Sequence, residues 1–253
     1  MKLSIITVCY NCVRNLSNTI LSILQQKHGN FEYLVIDGKS NDGTQELLHH
    51  CEQFFGPHLR WISERDKGIY DAMNKGLQMA TGDAIGFLNA DDVYLHPAVL
   101  DTIDNTLARH PEADAVHANL DFINEQGDVT RHWAGQDYRP GAFQRGWMPA
   151  HPTFYCRRKC FEQFGTFDCN AGTAADFELM LRFIEKHHIQ TCFIPEKLIE
   201  MRRGGVSTAG IRAILRNTRL NQRAFRKNDI PYPWHYPVTR ILSKISFFTR
   251  KTP

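Results

Sequence analysis

Ala84-Ile85-Gly86-Phe87-Leu88-Asn89-Ala90-Asp91-Asp92 decides how this chain is read. Its first five residues form an apolar run too short for a typical helix, which reads as a buried strand. Two adjacent carboxylates at the end of such a strand repel each other and cost desolvation energy. A hard divalent cation relieves both costs, and a cation with one or two carboxylate ligands takes its other ligands from phosphate and water. The stretch therefore points to a phosphorylated, nucleotide-linked substrate.

Toward the N-terminus the apolar pattern alternates between strand and helix. Leu3 to Cys9 reads as a buried strand, and Leu16, Ile20, Ile23 and Leu24 mark one face of a following helix. Phe31 to Ile36 is a second strand ending at Asp37-Gly38, and Asp42-Gly43-Thr44 leads into a helix through Leu47 and Leu48. Leu59 to Ser63 is a third strand, Ile69 to Ala80 a helix, and Ala84 to Leu88 the fourth strand. This alternation predicts an α/β fold, Rossmann-like, with a mostly parallel sheet flanked by helices. Ligands bind such sheets at the carboxyl ends of the strands. Tyr10-Asn11, Asp37, Glu64-Arg65-Asp66 and Asn89-Ala90-Asp91-Asp92 all fall there.

The second half is less regular. Ala113 to Phe122 and Val129 to Trp133 read as strands around an Asn124-to-Gly127 turn, and a Gly-, Pro- and aromatic-rich loop runs from Gly135 to Pro152. Asp176 sits early in a helix with Phe177, Met180, Leu181 and Ile184 on one face. Two further helices, Ile211 to Phe225 and Val238 to Phe248, are split by Pro231-Tyr232-Pro233.

At 253 residues, 42% hydrophobic and 23% charged, the chain can bury a sizeable core. No signal-peptide pattern opens it and no apolar run is long enough to span a bilayer. Seven cysteines, an odd number, read as reduced thiols, and Cys9-x-x-Cys12 has no second pair to complete a zinc site. The net charge of +3 is unevenly spread: Arg212 to Pro253 holds ten Lys/Arg and one acid, Asp229, a charge of +9, which leaves −6 on residues 1–211. A basic tail on an acidic body suggests a separate task for the tail.

Five segments together resemble family-2 glycosyltransferases of the GT-A fold, of the bacterial surface-polysaccharide type, over roughly residues 1–208. They are Ser4-Ile5-Ile6-Thr7-Val8-Cys9-Tyr10-Asn11, Val35 to Thr44, Asp71-Ala72-Met73-Asn74-Lys75-Gly76, Asn89-Ala90-Asp91-Asp92, and Ala175-Asp176-Phe177-Glu178-Leu179-Met180-Leu181-Arg182. The resemblance implies a GT-A domain over 1–208 with a basic helical C-terminal extension over 209–253. It implies inverting transfer from a nucleoside-diphosphate sugar, a UDP-sugar favoured, to a saccharide or lipid-linked acceptor.

Residue by residue, the resemblance places Thr7, Tyr10 and Asn11 beside the nucleotide and Asp37 against an imide N–H of the base. Asp71 and Lys75 would line the nucleotide, with a helix-surface ion pair as the competing reading. Asn89 would meet a ribose hydroxyl, with Ala90 beside it in the turn. Asp91 would hold Mn²⁺ or Mg²⁺ against the diphosphate, with Asp92 as the second candidate ligand. Asp176 matches the general base that takes the acceptor proton, with Glu178 as alternative. His151 would contact acceptor or diphosphate, unless it is structural, and Arg203, beside Arg202, would clamp the diphosphate. Two departures stand out: Asn89 occupies the first acidic position of the metal motif, and Ala175 precedes the base where many relatives carry an acid.

Two other classes remain open on the sequence alone. A nucleotidyltransferase also pairs acids at strand ends but usually carries a glycine-rich phosphate loop, which Tyr10 to Asn15 lacks. A sugar-nucleotide-binding protein on the same fold would not need Asp176. In the last helix Val238, Ile241, Leu242, Ile245 and Phe248 share one face. That pattern fits peripheral contact with an anionic membrane, at the inner face of the cytoplasmic membrane, or packing on the domain. Nothing in the chain matches a nucleic-acid-binding motif.

Overall fold

A computed structural model describes residues 1–202 and 210–240. The first half alternates as the periodicity predicts: β1 (Leu3–Cys9), α1 (Val13–Leu24), β2 (Phe31–Asp37), α2 (Thr44–Phe55), β3 (Leu59–Ser63), α3 (Ile69–Met79) and β4 (Ala84–Phe87). These four strands lie in the order β3-β2-β1-β4, every pair parallel. All of β1 and β4 is buried, so their sequences read as continuous apolar runs. Side chains still divide with a period of two. Ile6, Val8, Leu34 and Ile36 face one core with Ala72, Met73 and Leu77 of α3, while Ile5, Tyr33 and Val35 face a second core with Leu16, Ile20 and Ile23 of α1.

Beyond β4 come β5 (Asp92–Tyr94), α4 (Val99–Arg109), β6 (Ala115–Ile123), β7 (Val129–Trp133), β8 (Tyr155–Arg157), α5 (Arg158–Phe164), α6 (Ala175–Leu181), β9 (Thr191–Arg202) and α7 (Gly210–Lys227). The sheet continues β4-β8-β6-β9-β5, with β7 on β6. Here pairing is mixed: β8 is antiparallel to β4 and β6, β9 is parallel to β6, and β5 is antiparallel to β9. The parallel order read from the sequence thus holds for the first four strands and gives way to a mixed sheet after them. Gly86 marks the junction, since a Cβ there would lie 2.2 Å from the Tyr155 ring on β8. Strand β4 needs its glycine so that the Tyr155 ring can cross it.

The first helix of the C-terminal extension packs on the domain. Phe225 and Tyr236 are buried in the same core as Phe177, with Phe225 5.6 Å from it ring to ring. The chain is helical again over 236–240, and the rest of the expected Val238-to-Phe248 helix lies outside the described residues. Among the described residues, no helix is long and apolar enough to cross a membrane.

Candidate active site

Because β1 to β4 are parallel, their polar ends meet at one edge: Cys9 is level with Asp37, and Asp37 with Ser63. The loops after β1 and β2 are stitched together. The Asn11 backbone N–H donates to Ser40 Oγ at 2.8 Å, and the Asn41 N–H donates to Asn11 Oδ1 at 2.9 Å. Asn11 and Lys39 hold left-handed backbones, φ 48° and 67°, uncommon for residues with a Cβ. Tyr10 projects beside them, 65% exposed.

Two expected nucleotide contacts are also tied into the protein here. Asp37 is fully buried, and its carboxylate accepts from the Ser40 N–H and hydroxyl and from Ser63 Oγ at 2.5 Å. These bonds fix the loop after β2 against the end of β3. Thr7 is also fully buried, and its hydroxyl donates to Leu88 O at 2.6 Å, tying β1 to the end of β4. Both residues shape the edge from beneath.

Lys75 forms ion pairs chiefly with the loop after β3 rather than with Asp71. Its ammonium sits 2.5 Å from Asp66 and 2.8 Å from Glu64 and donates to Arg65 O, with Asp71 at 3.9 Å. Asp71 accepts the Lys67 N–H at 3.0 Å. The pair thereby pins the Glu64-Arg65-Asp66 loop across the first turns of α3, and Asp66 comes close to Gly38 and Tyr10.

At the end of β4 the two acids part. Asp92 turns inward and is fully buried; Asn89 Nδ2 donates to its Oδ2 at 2.9 Å, and its Oδ1 has no hydrogen-bond partner. Burial, then the Asp91 charge, pushes its carboxyl well above the usual carboxylate range. Asp92 braces the turn through Asn89, while its other oxygen is left buried without a partner. Asp91 is half-buried, with its carboxyl raised by burial and drawn partly back by the charge of Arg202 at the end of β9. Among the described residues, no group of three His, Cys, Asp or Glu side chains could hold an ion. One carboxylate fits a cation whose other ligands are phosphate oxygens and water, and does not fit an all-protein cage.

Asp176 opens α6 beside an aromatic wall. Phe87 of β4 stacks on His151 at 5.5 Å, and Phe167 packs edge-on against both. Asn74 of α3 clamps Phe167, accepting its N–H at 3.0 Å and donating to its carbonyl at 2.9 Å. The Tyr70 ring leans on Phe167, and its phenol lies beside the Asp176 carboxylate, whose charge raises the phenol's pKa further after burial. His151 Nε2 is buried without a partner; burial lowers the imidazole pKa, and the nearby Asp176 charge opposes that shift. Glu178, the alternative base, is fully buried and held by Arg182, Asn228 and Lys227. Its lone pairs are committed to structure.

The fold thus gathers Tyr10, Asn11, Asn89, Ala90 and Asp91 at the strand ends, and joins His151 to Asp176. Arg203 lies outside the described residues. Sequence reading missed Tyr70, although it sits one residue before Asp71 of a quoted segment.

This chain belongs to the glycosyltransferases of family 2: residues 4–182 match Glycosyl transferase family 2. It is 32% identical over 195 residues to a glycosyltransferase of Mycobacterium tuberculosis (strain CDC 1551 / Oshkosh), covering 71% of this chain and 67% of that one. It is 29% identical over 180 residues to a PGL/p-HBAD biosynthesis glycosyltransferase of Mycobacterium bovis (strain BCG / Pasteur 1173P2), covering 71% and 68%. In fold it is similar to S. aureus TarS 1-349 in complex with UDP-GlcNAc, TM-score 0.70 at 16% identity over 98% of this chain and 73% of that one. It is also similar to the mannosyltransferase PcManGT from Pyrobaculum calidifontis in complex with GDP-Man and Mn²⁺, TM-score 0.62 at 18% identity over 99% and 76%.

Proposed function

We propose that this transferase inverts the anomeric centre as it moves a sugar from a nucleoside-diphosphate sugar, a UDP-sugar favoured, to a hydroxyl of a lipid-linked saccharide in surface-polysaccharide assembly. The observation that carries this reading is Asp176, a half-buried carboxylate in an aromatic wall at the carboxyl edge of the sheet, with the Tyr70 phenol beside it. Asp176 takes the acceptor hydroxyl's proton while the anomeric carbon is attacked from the face opposite the diphosphate. Tyr10, Asn11, Asn89 and Ala90 line the nucleotide sugar, His151 meets the diphosphate or acceptor, and Arg203 closes over the phosphates. Asp91 would hold Mn²⁺ or Mg²⁺, which offsets the charge on the departing diphosphate. The Mn²⁺ complex of PcManGT and the UDP-GlcNAc complex of TarS support this choice of ligands. The M. bovis relative, a PGL/p-HBAD biosynthesis glycosyltransferase, supports a biosynthetic sugar transfer.

Residues 1–208 form the catalytic domain in this reading, and 209–253 a basic extension that touches the inner face of the cytoplasmic membrane. A thermal-shift panel of nucleoside diphosphates and their sugars, with and without Mn²⁺, tests the donor site. Stabilisation follows affinity, so UDP and UDP-sugars raise the midpoint more with Mn²⁺ than without it. A flat response to every nucleotide overturns the assignment.

A further inference from the structure

Helix α7 carries its charge on one side only. Arg216, Arg219, Arg223 and Arg226 are exposed at helical spacings of three and four, and Lys227 is exposed next to them. The opposite side is buried: Asn221, Ala224, Phe225 and Asn228 pack on the domain. The helix contains no acid. A solvated helix face usually interleaves both signs, and among the described residues none of these four arginines has an ion-pair partner. A short distance on, Trp234 is 88% exposed, although its neighbours Tyr232 and Tyr236 pack on Phe225. The indole is thus held outward by a fixed backbone.

We propose that the arginine face of α7, together with Trp234, is a docking surface for the anionic phospholipid headgroups of a membrane. The charge complementarity selects the occupant. Guanidinium groups pair with phosphates, and an exposed tryptophan settles at the membrane–water interface. The proposal rests on the reading of a lipid-carried acceptor and deepens it, because α7 is joined to the catalytic helix. Asn217 accepts from Thr173 Oγ1 at 2.8 Å in the turn before Asp176, and Asn228 donates to Glu178 of α6 at 3.1 Å. A bilayer under α7 therefore fixes how the Asp176 side of the domain is presented to a lipid-linked acceptor.

Flotation of the full chain with phosphatidylcholine vesicles, and with phosphatidylcholine–phosphatidylglycerol vesicles, tests the surface without donor or acceptor present. Binding is expected only to the anionic vesicles and weakens with salt. The triple variant R216E/R219E/R223E is expected to lose at least about a hundredfold in vesicle affinity, with an unchanged thermal midpoint and unchanged transfer to a water-soluble acceptor. Trp234→Phe is expected to remove the blue shift of tryptophan emission on binding. Equal vesicle binding by the triple variant would assign attachment to other residues and overturn the proposal. So would binding to neutral vesicles, or displacement of the protein from anionic vesicles by an RNA oligomer at matched phosphate. Loss of vesicle binding with normal nucleotide-induced stabilisation separates this surface from the donor site.

Discussion

The Tyr70 phenol lies beside the Asp176 carboxylate, where the first turn of α3 meets the first turn of α6. Burial, and then the neighbouring carboxylate, pushes the phenol well above its ordinary range, so it stays a protonated donor. Tyr70→Phe removes only the hydroxyl beside Asp176, and the transfer rate is expected to fall about tenfold. The ring contact with Phe167 remains, so the thermal midpoint stays near that of the wild type. A kinetic assay beside a melting curve checks both.

The two acids after β4 should separate under mutation. Asp91→Asn is expected to abolish any Mn²⁺-dependent stabilisation by nucleoside diphosphates. Asp92→Asn should keep it, because Asp92 is turned to Asn89 and buried. The raised carboxyl of Asp92 is a cost at neutral pH, so Asp92→Asn should also stabilise the fold by about 1 kcal/mol. Thermal shifts of the two variants, with and without Mn²⁺, read this directly.

His117 of β6 is fully buried between Trp147 and Phe193, with neither ring nitrogen bonded, and burial lowers its pKa to about 4. Above pH 6.5 both folded and unfolded forms are neutral, so the shift has no effect. As pH falls from 6.5 toward 4 the unfolded chain binds the proton first and stability drops. The loss is about 3 kcal/mol in full. Urea unfolding across this window should show the drop, and His117→Phe should flatten it.

Gly86→Ala places a methyl group 2.2 Å from the Tyr155 ring. With β8 packed on β4 the ring has little room to yield. The expected cost is about 3 kcal/mol or more, read as a lower urea midpoint with an unchanged slope.

The parallel half of the fold was legible because strands buried on both faces write continuous apolar runs, and the helices between them keep a 3.6-residue period. Helix α4 was equally legible in Val99, Leu100, Ile103 and Leu107 but was not read. Strands β5 and β8 are three residues each, and β9 carries Pro195, Glu196, Lys197 and Glu200, so pattern alone could not find them. In the site, the quoted segments through Asn11, Asp37 and Asn89 fall at the carboxyl ends of the parallel strands. They could not show which acids turn inward, since Asp37 and Asp92 are withdrawn by hydrogen bonds to Ser40, Ser63 and Asn89. Glu178 and Asp176 stand two residues apart; the i,i+4 pair of Glu178 with Arg182 is local, and only the tertiary contacts with Asn228 and Lys227 mark Glu178 as a brace.

The central claim is that Asp176 removes the acceptor proton. Transfer from a UDP-sugar to acceptor is measured for the wild type and Asp176→Asn, with UDP binding followed in parallel. The account predicts a loss of at least about a hundredfold in kcat with UDP affinity and thermal midpoint retained. Turnover by Asp176→Asn at the wild-type rate would contradict it.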